Sequence, residues 1–330
     1  MAFGTAAGHG NLPSGNFTPE IFSQKVLKFF RRASVVEDIT NTDYAGEIEN
    51  FGDTVRIIKE PVVTVSSYTR GSVVNPQDLA DDQITLVVDN ANAFAFKIDD
   101  IEERQSHINF EALATSSGAF ALKRKYDANI LQAISDGAGL AGADDASLSG
   151  GLTTTDSNLG TASSPINVET NDAGINLMLL MARTLDDQSV PEENRWFVAP
   201  PAFYEKMFQA GNKIAEVQVT GDASSPLRNG LVMNGTLAGF RCYKSTALNS
   251  TAGTDQVTLS GVATDGSENI ILAGHMSSTC TASHIAKTEV VRSTESFTDV
   301  IRGLHVFGRK VLRPEAVVRG IIDFAKGRAE

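Results

Sequence analysis

Residues 96–107 read FKIDDIEERQSH and bring Asp99, Asp100, Glu102, Glu103 and His107 into one short run. Carboxylates at this density are what a divalent cation or a general acid/base pair requires, provided that the side chains converge. On a helix, Asp99 shares a face with Glu102 and Glu103, and Glu103 shares one with His107, while Asp100 points elsewhere. A metal-dependent hydrolase using Asp99, Glu103 and His107 is one reading of that pattern. The other is a helix start. Acids in a first turn meet the positive end of the helix dipole, at ~0.3–1 kcal/mol each, and Asp99 with Glu102 has the spacing of a capping box. The second reading needs no ligand from elsewhere in the chain, and the acids are read as a helix N-terminus.

Other sources of chemistry fail on context. Gly137, Gly139 and Gly142 satisfy the GxGxxG pattern, but they follow a helical stretch and enter a loop. A dinucleotide site needs that pattern between a strand and a helix. The sequence holds no GxxxxGK[ST], GxSxG or HExxH. His9, His107, His275, His284 and His305 are scattered, and none of them forms a helical i,i+4 pair with another. Cys242 and Cys280 are the only cysteines and lie far apart, which gives no disulfide framework. Trp196 sits in an apolar run and reads as core. No cofactor, metal or enzymatic activity is expected.

The chain has 330 residues, 42% hydrophobic and 21% charged, with a formal net charge of −12. Its length suggests about two domains. Its charge repels phosphate backbones, which argues against a sequence-reading nucleic-acid binder. A container for DNA is not excluded, because a mildly repulsive wall lets the polymer pack and leave. The N-terminal MAFGTAAGHGNLPSG lacks the pattern of a signal peptide, and no run approaches the ~20 apolar residues of a membrane span. A soluble, cytosolic protein with no membrane association is expected.

The elements that position these residues follow from periodicity. Residues 1–17 read as a flexible arm. Thr18, Pro19 and Glu20 then open a helix whose broad apolar face carries Ile21, Phe22, Val26, Leu27, Phe29 and Phe30, closed by Arg31 and Arg32. VRIIKEPVVTVSSYT and ITLVVDNANAFAFKI are β-branched runs joined by turn residues, and they predict a long hairpin with nothing nearby to cover it. From Asp99 to about Ser135, apolar residues recur at threes, fours and sevens, predicting a helix about 50 Å long. Its middle, ALATSSGAFAL, is made of small residues, which suits close approach by another element. Residues 137–165 read as a loop-rich insertion and Asn171–Leu185 as a buried helix. RWFVA, FRCYK and ENIILAGH read as strands of a mixed α/β unit. The stretch from Lys287 to Asp323 reads as long strands that return to an earlier domain.

That order of elements resembles the major capsid protein of tailed double-stranded DNA phages, the Hong Kong 97 type of capsid fold, which encapsulins share. Residues 41–57, NTDYAGEIENFGDTVRI, are similar to the family's approach to its extended E-loop. Residues 94–110, FAFKIDDIEERQSHINF, resemble the junction into its spine helix. Residues 301–318 are similar to the closing strands of its peripheral domain.

The resemblance implies an α+β fold with four parts. These are an N-terminal arm and short helix (1–50), an extended β-hairpin or E-loop (51–98), a peripheral domain with the spine helix (99–190, completed by 286–330) and an axial domain (191–285). It implies a structural protein that assembles with itself, as hexamers and pentamers, into an icosahedral virion shell. That shell forms in the host cytoplasm and encloses double-stranded DNA without reading its sequence. A separate scaffolding protein and a portal are the expected partners. Assembly contacts are expected at Lys59, Tyr68, Arg70, Asn75 and Asp78 of the hairpin. Others are expected at Glu102 and Glu103, with Arg309 and Lys310 as candidate partners for these acids. An encapsulin-type cellular compartment is the alternative within the same fold.

Overall fold

A computed structural model describes residues 34–44, 54–61, 63–73, 76–78, 83–100, 110–138, 158–159, 165–168, 173–207, 236–248, 268–294 and 296–323. The helix expected at 18–32 and most of the insertion expected at 137–165 lie outside the described residues.

A helix of 28 residues, α2 (Phe110–Gly137), spans about 42 Å at 1.5 Å per residue and joins two sheets. Its C-terminal half lies on a seven-stranded sheet ordered β4-β12-β9-β6-β8-β7, with β5 also paired to β12. The central strands are β6 (Arg195–Ala199), β8 (Phe240–Lys244), β9 (Glu268–His275) and β12 (Val317–Asp323), flanked by the two-residue strands β4 (Asn158–Leu159), β5 (Ile166–Asn167) and β7 (Thr236–Leu237).

β6 reads RWFVA and is buried at every position, as expected of a strand covered on both faces. Alternate residues divide its two faces. Trp196 and Val198, with Ile270, Leu272 and Val317, meet Ile130, Leu131 and Ile134 of α2. Phe197 and Ala199, with Ile271, Ala273, Val318 and Ile322, meet α3 (Ala173–Asp187) and α4 (Pro201–Met207). Each fully buried side chain of this size contributes ~1.5–3 kcal/mol. β12, from residues 286–330, thus lies in one sheet with strands from 191–285, and α3, from 99–190, packs on a face of that sheet.

The N-terminal half of α2 lies on a second sheet, ordered β10-β11-β3, formed by β10 (Thr279–Arg292), β11 (Thr298–Val311) and β3 (Asn90–Asp99). β11 is the shared wall. Its odd residues face α2: His305 and Phe307 pack edge-on against Tyr126, and Arg309 donates to the Asn129 carbonyl. Its even residue Val306 joins Cys280 and Ala282 in a cluster with Val55, Leu86 and Val88 at the base of the hairpin.

A short helix, α1 (Val36–Ile39), is tied to α2 by Asp127. The buried Asp127 carboxylate accepts from Ser34 Oγ at 2.9 Å and from the backbone N–H groups of Val35 and Val36 at 3.2 Å. It supplies from another element the cap that Val35 cannot.

Two expectations need correction. The run ITLVVDNANAFAFKI is not one arm of a long hairpin, because it divides at Val88 and Asp89. Its first part, β2 (Gln83–Val87), pairs with β1 (Thr54–Ile58), whereas β3 pairs with β11. The helix-start reading of the acids is not among these corrections: Asp99 ends β3, opposite Thr298, Asp100 is helical, and residues 101–109 lie outside the described residues before α2. The proposed capping box with Glu102 lies partly outside the described residues. In the stretch expected as a loop, residues 158–159 form β4, parallel to β12.

Candidate functional site

Beyond the β1–β2 base, every described residue from Lys59 to Asp78 is exposed, and none of them belongs to a strand. The two arms are joined by Thr64 N–H, which donates to Gln77 Oε1 at 2.9 Å. The tip turns at Thr69–Ser72, where Ser72 N–H donates to the Thr69 carbonyl and Gly71 takes φ 91°. Large apolar side chains stand in solvent along it: Val63, Val65, Tyr68 and Val73, with Val65 92% exposed. Several large apolar side chains exposed on one projection make it a candidate interaction surface.

Lys59, Tyr68, Arg70 and Asp78 all lie on this projection, and the Tyr68 hydroxyl accepts from Gly71 N–H at 3.4 Å. Asn75 is outside the described residues. The aliphatic residues beside these were not singled out from the sequence. Their signal was a β-branched run in a ribbon with no partner face.

The β10–β11 turn forms a second projection, with Phe297 79% exposed and Val290 and Val291 beside it. Asp100 braces that turn. Its carboxylate grips the Arg292 guanidinium through both oxygens, at 2.6 and 2.5 Å, and its N–H donates to the Phe297 carbonyl at 3.2 Å. Asp299 adds a further bond to Arg292 at 2.9 Å. Asp100 first, and then Asp299, hold that guanidinium more firmly protonated than usual.

Of the two described acids of this cluster, Asp100 is partnered by Arg292, and Asp99 lies at the end of β3. Arg309 is half-buried against α2, and desolvation there lowers its pKa. Lys310 is exposed, opposite Cys280. Glu102, Glu103 and His107 lie outside the described residues. Among the described residues no three His, Cys, Asp or Glu side chains are grouped to hold a metal ion.

A groove of about 450 Å³ opens between α2 and the three-stranded sheet. Phe94, Ala119, Leu122 and Tyr126 line it, and Ser283 Oγ and His305 Nε2, 2.7 Å apart, form part of its wall. Glu37 and Lys123, paired at 3.0 Å, border it on the α1 side.

A family model described as phage capsid protein matches residues 81–320. The chain belongs to the phage capsid protein family. The capsid protein is similar to a solved structure from Mycobacterium phage Che8, 26% identical with a TM-score of 0.72, over 93% of this chain and 97% of that one. It is similar to the capsid structure of cyanophage P-SCSP1u, 18% identical with a TM-score of 0.68, over 94% and 95% of the two chains. It is also similar to the mature capsid asymmetric unit of bacteriophage PhiM1, 15% identical with a TM-score of 0.68, over 93% and 92%. No curated protein matches the chain.

The capsid protein thus has the α+β fold of the Hong Kong 97 type. Its work is structural, as a self-assembling subunit of an icosahedral phage shell, and not enzymatic. The family is that of phage shells, and Glu103 and His107 of the hydrolase reading lie outside the described residues. Among the described residues no helix is long and apolar enough to cross a membrane.

Proposed function

We propose that the capsid protein assembles as hexamers and pentamers around double-stranded DNA, and that each copy lays its 54–87 hairpin, as an E-loop, over a neighbouring copy. One observation carries this reading: Val63, Val65, Tyr68 and Val73 stand exposed on a projection whose described residues from 58 to 78 are all in solvent. Covering them on a neighbour recovers ~25 cal/mol per Å² of apolar surface. It also explains why a soluble chain keeps β-branched residues there. In this reading α2 is the spine helix, and with the three-stranded sheet it forms the peripheral unit. The seven-stranded sheet is the axial unit. Lys59, Arg70, Asn75, Asp78, Glu102, Glu103 and Lys310 are candidate polar contacts between copies.

The net charge of −12 suits a wall that encloses DNA without gripping it. A separate scaffolding protein and a portal complete the proposed partner set. Deleting residues 61–80 tests the reading, because the β1–β2 base and both sheets remain. The expected result is a folded subunit of unchanged circular dichroism that forms no closed particles by negative-stain electron microscopy. Normal particles from the deletion would overturn it.

A further inference from the structure

β9 leaves the seven-stranded sheet at His275, passes through a single turn at Met276–Ser278 and enters the three-stranded sheet as β10. β11 returns through a second turn, Pro314–Ala316, to become β12. The two crossings are tied together. The Ser278 carbonyl accepts from Leu312 N–H at 2.7 Å and from Arg313 N–H at 3.1 Å. His275 caps the first turn: its Nδ1 accepts from Ser277 N–H at 3.1 Å and lies 2.8 Å from Ser277 Oγ. That hydroxyl oxygen accepts in turn from the Arg313 guanidinium at 3.4 Å. An Nδ1 that accepts carries no proton, so the cap exists only with a neutral ring. In the imidazolium both ring nitrogens are donors.

We infer that neutral His275 latches the crossing between the two sheets, and that its protonation releases both turns together. The charged side chains that act on the ring are cations: Arg195, its partner across β6 and β9, and Arg313, ahead of the second turn. Arg195 is buried and held by Asp186 and by the Val190 and Pro191 carbonyls, so it cannot swing away from an imidazolium. Glu193 and Glu315 belong to the adjoining segments, and Glu193 meets the ring through its backbone. Burial lowers the His275 pKa, the hydrogen bond to the Glu193 backbone opposes that, and Arg313 and Arg195 add to it. In the released form the ring is in water and titrates near about 6.5. The latched form binds the proton less readily, so the latch is whole above that value. Below it the opening equilibrium rises by up to about tenfold per pH unit, until the pH reaches the depressed value of the latched form. α2 packs on both sheets, so release loosens the β connections while the two units stay together. The inference concerns one subunit and stands whether or not the hairpin engages a neighbour.

Hydrogen exchange in full-length, unassembled subunits tests it, read as protection factors so that the pH dependence of the chemical step cancels. Between about pH 7.5 and about pH 5.5, the amides of Ser277, Leu312 and Arg313 are expected to lose protection about fivefold or more. Those of Phe197 and Ile271, in the core, should keep theirs. His275→Asn supplies an oxygen that caps the turn without titrating, and its protection at the same three amides should change by less than about twofold. An equal fall in the wild type and in His275→Asn would overturn the latch. So would no fall in the wild type, or an equal fall at Phe197 and Ile271. Deuterium exchange at the histidine ring carbon reads the titration with no substitution at all. A midpoint below about 6.5 is expected for His275 in native subunits, and a midpoint at or above it would overturn the assignment by itself.

Discussion

Phe94 and Gly303 are direct partners across β3 and β11, and the phenylalanine ring covers the glycine so closely that a methyl group has no room there. On its other side the ring meets Gly118 of α2, where an added Cβ would lie 2.8 Å from it. One aromatic side chain thus sets the spacing between helix and sheet, and both glycines are needed to admit it.

Gly303→Ala is therefore expected to destabilise the subunit by ~1–3 kcal/mol through overpacking. Gly118→Ala should cost less, because alanine gains ~1 kcal/mol of helix propensity at that position. Combining Gly303→Ala with Phe94→Leu should return part of the loss. Urea denaturation of unassembled subunits measures all three, and additive losses in the double variant would contradict the shared cause.

Asp127→Ala removes the acceptor for two backbone N–H groups and a hydroxyl in a buried site. A loss of ~1–3 kcal/mol is expected. Asp127→Asn keeps one oxygen in place and should lose less. Equal loss in the two variants would show that charge, and not the acceptor geometry, matters there.

Burial pushes both thiols, Cys242 and Cys280, up to about 11. At a pH near 8 almost none of either is thiolate, so a thiol-specific reagent should label native subunits very slowly and unfolded chains at once. Fast labelling of native protein would mean that these side chains are open to solvent.

Burial lowers the pKa of both His275 and His305. The folded state then binds protons less readily than the unfolded chain, whose histidines titrate near about 6.5. This contribution to stability is complete above that value and is lost as pH falls through it toward the depressed folded values. Melting temperatures measured from about pH 8 down to 5 should decline in that window, and His305→Gln should flatten part of the decline. An unchanged slope in the variant would assign the decline to other groups.

Val65→Asp with Val73→Asp should leave the melting temperature of the subunit within a degree or two, since neither side chain touches its own chain's core (about ±0.5 kcal/mol is usual for surface changes). Sedimentation velocity should then show capsomers or monomers in place of particles. Wild-type particle yield would disconnect the hairpin's apolar residues from assembly.

Much of this fold was legible because local pattern and tertiary role agree. ALATSSGAFAL predicted that another element would come close to the helix, and Phe94 does so at Gly118. RWFVA read as a buried strand, and all five residues are buried. The break at Val88 and Asp89 was not legible. β2 and β3 have the same β-branched and aromatic character, and only their partners, β1 and β11, tell them apart. The partner of Asp100 was equally hidden, because Arg292 lies 192 residues further along the chain. Arg309, a plausible partner for an acid on charge alone, instead spends its guanidinium on a carbonyl of α2.

The route by which the hairpin meets the body has a mechanical consequence. β2 passes through Val88 and Asp89 straight into β3, which lies antiparallel along β11 from Asn90 opposite Phe307 to Asp99 opposite Thr298. A pull on the hairpin along the axis of that strand loads the whole β3–β11 ladder in shear, so its hydrogen bonds resist together and are not peeled open one after another. Outward pressure that tensions the hairpin in this direction would be borne by the strongest geometry the sheet offers.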